Sequence, residues 1–190
     1  MIYIDDDIFR LNAGQLEEAI SILPDQRREV VMRYTHELGR RQSLLVYQLL
    51  CRGLQEEYGI TEPPTFTYGE YGKPYLASHP DIHFNFSHSK TAVACAVSNR
   101  PIGIDIENFR PAKEAVIRYA MNEEEAAAIL SASDPNLEFS RLWTQKEALL
   151  KLTGRGIHDN MRNILHNCHD AVIETTVTSQ YVYSVAQFNS

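Results

Sequence analysis

The chain has 190 residues, of which 44% are hydrophobic and 9% aromatic. That is enough apolar surface for a packed core and excludes a disordered segment. Its length suits one compact body, with room for two halves, and its formal net charge of −7 excludes general nucleic-acid binding, which needs a basic face. Three widely spaced cysteines (Cys51, Cys95, Cys168), an acidic Met1–Asp7 start and no apolar run near the ~20 residues of a membrane span point to a reduced, cytoplasmic, non-membrane protein.

Ile2 and Ile4 alternate with Tyr3 and predict an opening strand. Leu16, Ala19, Ile20 and Leu23 fall at helical spacing before Pro24. Asp25 to Tyr58 is proline-free and rich in Arg and Leu, which predicts one or two helices ending at Gly59. Pro63-Pro64 breaks the chain, Thr65 to Tyr68 is a short strand, and Gly69 to Pro74 is a glycine-rich turn. Three strands are then expected: His83–His88, Ala92–Val97 and Ile102–Glu107. The turn Asn99-Arg100-Pro101 makes the last two a hairpin.

Residues 112–131 are Ala- and Glu-rich and read as helical. A further helix covers Phe139 to Leu152, stopped by Gly154-Arg155-Gly156, and Ala171–Thr178 with Tyr181–Phe188 close the chain as a hairpin. This order predicts an α+β fold of two similar halves, each a small antiparallel sheet packed with helices. We place the halves at residues 1–108 and 109–190.

Chemistry concentrates in two segments. In Ile102-Gly103-Ile104-Asp105-Ile106-Glu107 the isoleucines face the core, and Asp105 and Glu107 share the other face. Roughly 6–7 Å apart at Cα, those carboxylates could clasp a hard cation such as Mg²⁺; for the Asp-x-Glu pair alone, a half-exposed polar strand is the more ordinary explanation. Gly103 removes bulk on the same face, as a close ligand approach requires.

In the later helix, Phe139, Leu142, Trp143, Leu149 and Leu150 form an apolar stripe with Lys146 inside it. Glu147 and Lys151 flank that stripe at i and i+4. A snorkelling lysine and an ordinary helical ion pair are the bland alternatives. Ser87-His88-Ser89 could bind phosphate or stack on a base, a structural histidine being the commoner case, and Lys73 is a cation on a rigid turn or an ordinary solvent-facing lysine. Arg40 and Arg41, with Arg33 and His36, are either a solvated basic surface or a grip on an anion. No HExxH or paired C-x-x-C pattern supports zinc.

Four ordered motifs resemble the Sfp-type 4′-phosphopantetheinyl transferases. They are Gly72-Lys73-Pro74, Phe84-Asn85-Phe86-Ser87-His88-Ser89, Ile102 to Glu107, and Leu142-Trp143-Thr144-Gln145-Lys146-Glu147-Ala148 with Lys151 and Gly154-Arg155-Gly156. The similarity runs from about Arg40 to Ile157.

The resemblance implies transfer of phosphopantetheine from coenzyme A to a serine of an apo acyl or peptidyl carrier protein, with coenzyme A bound between two pseudo-symmetric halves of a monomer. It further implies Mg²⁺ on Asp105, Glu107 and Glu147, and Lys151 at the phosphoryl groups beside the motif lysine, Lys146. Lys73, Pro74, Ser87 and His88 would hold the adenosine and its 3′-phosphate, with Arg41 or Arg40 as a further contact. Glu125 or its neighbour Glu124 matches the acid that takes the serine proton. A Mg²⁺-dependent hydrolase of nucleotides or coenzyme A, and a non-catalytic binding module, are the alternatives.

Overall fold

The structure is a computed structural model that describes residues 1–154 and 161–189; Arg155, Gly156 and Ile157 of the matched segment lie outside them. The first half comprises β1 (Ile2–Asp5), α1 (Ala13–Ser21), α2 (Asp25–Met32), α3 (Glu37–Tyr58), β2 (Phe66–Tyr68), β3 (Pro74–Leu76), β4 (His83–His88) and β5 (Val93–Ser98). The second comprises β6 (Ile102–Asn108), α4 (Glu114–Ala120), α5 (Glu123–Ser131), α6 (Pro135–Thr153), a 3-10 turn (Met161–Asn163), α7 (Ile164–Asn167), β7 (Ala171–Val177) and β8 (Tyr181–Phe188). Among the described residues no helix is long and apolar enough to cross a membrane.

The main sheets are ordered β1-β5-β4 and β6-β8-β7, all antiparallel. In each, the first strand of a half pairs with its last, which pairs with the one before it. The same wiring twice, with α3 on one sheet and α6 on the other, is the expected pair of α+β halves.

Two strand expectations change. The Ala92–Val97 and Ile102–Glu107 segments do not form a hairpin: β5 is the middle strand of its sheet, with both edges taken by β1 and β4, and β6 pairs with β8 from Ile102↔Gln187 to Asn108↔Tyr181. The two strands meet through side chains instead. Ala92, Ala94 and Ala96 pack with Ile102, Ile104 and Ile106 in one apolar cluster. A short turn records only that strands are close in sequence, and the alanines leave room for a face-on approach. The strand pairing therefore puts β6 in the second sheet.

Helix ends follow local chemistry. The helical stretch expected over 112–131 is two helices, because Asn122 caps α5: its side chain accepts from the Glu125 amide and Glu125 accepts from the Asn122 amide. The α6 helix starts earlier than expected, at Pro135 behind the Asp134 cap, where proline's missing N–H costs nothing. Gly59 and Gly154 end α3 and α6 in the left-handed conformation, at φ 68° and 70°.

Gly103 serves packing rather than a ligand. A Cβ there would overlap the Ala148 carbonyl oxygen and lie 2.5 Å from the Leu152 amide nitrogen. The glycine lets α6 lie directly on β6, which sets how closely Glu147 and Lys151 approach the acidic strand.

Candidate active site between the two halves

The α6 helix organises the site, and each residue of Trp143-Thr144-Gln145-Lys146-Glu147 leaves it in a different direction. Thr144 is fully buried, and its Oγ1 lies 2.8 Å from Ser184 Oγ on β8. Gln145 donates to Thr175 Oγ1 on β7 at 2.9 Å. Trp143 carries the Arg110 guanidinium on its ring, 4.7 Å from the centroid.

Lys146 is completely buried. It donates to the carbonyls of Met161 at 2.7 Å and Arg162 at 3.0 Å, and pairs with Glu125 at 2.7 Å. Burial lowers its pKa, against the raising effect of Glu125. Lys146 and Glu125 therefore find each other and not the cleft. With its ammonium spent on three acceptors, Lys146 is a strut tying α6, α5 and the 3-10 turn. Glu125, committed to that ion pair and to the α5 cap, is not a free base. The resemblance implied a role at the reaction centre for both, and the structure brings them together away from the Asp105 cluster. The sequence carried half of this signal, since a lysine in an apolar stripe must find an anion.

Glu147 and Lys151, one turn apart, face β6 and β4. Lys151 Nζ donates to Asp105 Oδ1 at 2.7 Å and to Ser87 Oγ at 2.9 Å. Ser87 Oγ in turn donates to Asp105 Oδ1 at 2.8 Å and accepts the Ile106 amide at 3.1 Å. This hydroxyl uses its one proton and both lone pairs. Asn85, two residues earlier on the same face of β4, accepts the Ile104 amide at 3.1 Å. The alternation of Asn85 and Ser87 thus lets β4 serve the edge of β6 that β8 leaves open, and it joins the halves at the cleft.

Asp105 is 7% exposed, and Glu107 and Glu147 are half-buried. Burial raises both glutamates above the usual carboxylate range, and Asp105 adds to it in each case. Arg110 and Lys151 oppose the rise, and Glu107 contributes to that of Glu147. The three acids thus form one electrostatic cluster with two cations beside it. Among the described residues they do not form a ready-made metal cage.

Two cavities flank this cluster and share Phe86 and Lys151. One, about 310 Å³, is lined by Tyr71, Lys73, Pro74, Glu147 and Leu150. The other, about 460 Å³, is lined by Arg27, Tyr34, Ser43, His88 and Asp105. A larger cavity of about 740 Å³, among α1, α2 and α3, includes none of the cleft acids.

Lys73 bridges the halves by donating to the carbonyls of Lys151 at 2.6 Å and Leu152 at 3.1 Å, the C-terminal end of α6. Burial lowers its pKa. Crowding by protein and the Lys151 charge lower that of His88, which lies exposed at the mouth of the second cavity.

The two arginines expected at the phosphates are elsewhere. Arg41, 5% exposed, pairs with Glu37 and donates to the carbonyls of Ile8 and Leu11, holding the loop after β1. Arg40 donates to the Tyr34 carbonyl and lines the larger, remote cavity. The arginine that does line the cleft is Arg27, to which the sequence alone gave no role in the site. It donates to the Ser43 hydroxyl at 2.8 Å and to the Ser43 carbonyl, and its guanidinium lies 5.1 Å from the Tyr47 ring centroid. Its buried Nε has no hydrogen-bond partner among the described residues. Nothing in a helix rich in arginine marks which one turns inward.

Comparison with known proteins gives the family of the chain. The profile of the 4′-phosphopantetheinyl transferase superfamily matches residues 101–187, which span β6 to β8. A 4′-phosphopantetheinyl transferase of Bacillus subtilis is 33% identical over 152 residues, covering 77% of this chain and 67% of the relative. The Sfp transferase of Bacillus subtilis strain 168 is 32% identical over 160 residues, covering 82% and 70%. The AcpT transferase of Salmonella typhi is 32% identical over 152 residues, covering 76% and 69%.

Proposed function

The chain belongs to the 4′-phosphopantetheinyl transferase superfamily, and from that membership we infer how its cleft moves the 4′-phosphopantetheine group of coenzyme A to a serine of an apo carrier protein. The observation that carries the reading is the Lys151 ammonium on Asp105 and Ser87, between two cavities at the junction of the halves. In the reaction the serine oxygen forms a bond to the phosphorus carrying pantetheine. The bond from that phosphorus to the adenylate side breaks, and adenosine 3′,5′-bisphosphate leaves. Such a transfer is promoted by positioning and by neutralising charge on the phosphoryl oxygens.

Lys151 supplies a fixed cation on the phosphoryl side, held in place by Asp105 and Ser87. Arg27 and His88 line the second cavity and suit the remaining phosphates. Lys73 and Pro74 line the first, which suits the adenosine. Glu147 lines the cleft and is the acid we assign to take the serine proton, on the carboxylate oxygen that a bound ion would not use.

The donor chemistry of these carboxylates suits a divalent ion, although among the described residues they are not gathered into a ready-made cage. Three hard oxygen donors crowd together against mutual repulsion, which a cation relieves, and Mg²⁺ takes few protein carboxylates and fills its shell with water and phosphate oxygens. Asp105, Glu107 and Glu147 would hold it. When bound, the ion would neutralise charge on the diphosphate of coenzyme A. That both walls of the cleft come from one chain supports a monomer, and the cytoplasm is the compartment this reading expects.

The test is incubation with coenzyme A, Mg²⁺ and an apo carrier protein, followed by intact mass. Gain of one phosphopantetheine, lost on adding EDTA, is expected. Breakdown of coenzyme A with every carrier in a panel left unmodified would overturn the reading. The panel also decides between acyl and peptidyl carriers.

A further inference from the structure

The acid cluster has a second cation besides Lys151, and the transfer step does not require it. Arg110 is mounted on α6 from two sides. Its amide donates to the fully buried Ser140 Oγ at 2.8 Å, and its guanidinium lies 4.7 Å from the Trp143 ring centroid. The same loop is held again at Ala112, whose amide donates to Asn136 Oδ1 at 2.9 Å. From this mount Arg110 Nη1 reaches Glu107 Oε2 at 3.4 Å, with the two side chains 39% and 24% exposed.

The two ion pairs of the cluster differ in kind. Lys151 on Asp105, at 2.7 Å, has the length of a strong charge-assisted hydrogen bond; Arg110 on Glu107 is longer and wetter, the kind of pair that contributes little. Arg110 also keeps a partner when it lets go, because a guanidinium over an indole face is favourable by itself. A carboxylate weakly held by a cation that has its own resting place is easily handed over.

We propose that Arg110 is a positioning residue, a latch that parks Glu107 until a divalent cation takes that carboxylate, after which the guanidinium rests on Trp143 alone. The proposal rests on the metal-assisted reading above. It gives a role to Trp143, whose ring faces Arg110, and it makes that residue a reporter, since it is the only tryptophan in the chain.

The experiment is a Mg²⁺ titration of the protein saturated with coenzyme A and without carrier protein. Trp143 emission and binding heat are followed in parallel. In the wild type the emission change saturates together with the heat. Arg110→Gln binds Mg²⁺ about two- to five-fold more tightly, the range a half-exposed ion pair can supply, and its emission change shrinks. Arg110→Lys returns the affinity toward the wild-type value. Binding heat without an emission change, or an affinity in Arg110→Gln equal to or weaker than wild type, overturns the latch and leaves the metal assignment standing. Absence of Mg²⁺ binding in all three proteins overturns both.

Discussion

Replacing Lys146 by methionine separates a structural lysine from a catalytic one. The substitution keeps a long apolar side chain but removes an ammonium that is 0% exposed and bound to Glu125, Met161 O and Arg162 O. Breaking a buried pair by deleting one partner costs about 3–5 kcal/mol. Glu125 is 11% exposed and keeps the Asn122 amide, which puts this case near the lower end, at about 3 kcal/mol. That is a large share of the ~5–15 kcal/mol that holds a domain together, and in a chain of this size it lowers Tm by roughly 6–12 °C. The assay is urea unfolding of wild type, Lys146→Met, Glu125→Leu and the double variant. Because the double variant leaves no uncompensated buried charge, its loss should fall short of the sum of the single losses by about 2 kcal/mol. Additivity within about 0.5 kcal/mol, or a Lys146→Met loss below about 1 kcal/mol, would refute the strut.

Gly103→Ala should displace α6 from β6, because its Cβ meets the α6 backbone, and both Tm and transfer rate should drop; an unchanged Tm would contradict that packing. Glu147→Gln should abolish turnover yet raise Tm at pH 7.5. The native pKa of Glu147 is raised, so its ionisation lowers stability as pH climbs from the unfolded to the folded value. The Tm gain over wild type should therefore shrink as the pH is lowered toward 4.5, and a gain independent of pH would deny the raised carboxyl. Arg27→Met should raise the KM for coenzyme A roughly ten-fold with little change in kcat, the loss expected of one charge-assisted contact. Arg41→Met should instead lower Tm and spare that KM; the reverse pattern in kinetic assays would restore the sequence-based assignment.

What the amino-acid order settled by itself was local or periodic. Alternation in Ile102–Glu107 separated core isoleucines from the two acids, glycines 59 and 154 marked helix ends, and a lysine within an apolar stripe announced a buried partner. The ordered motifs were specific enough to name a family. Tertiary structure alone decided who meets whom. It paired β6 with β8 instead of β5, joined Lys146 to a glutamate 21 positions upstream in the chain, and turned Arg27 toward the cleft while Arg41 was used on a loop. It also gave Gly103 to a helix backbone rather than to a ligand. The physical reason is range: φ/ψ preference and side-chain period act over a few residues. An ion pair, an edge-strand partner or a close helix approach depends on surfaces that become neighbours only once the two halves have packed.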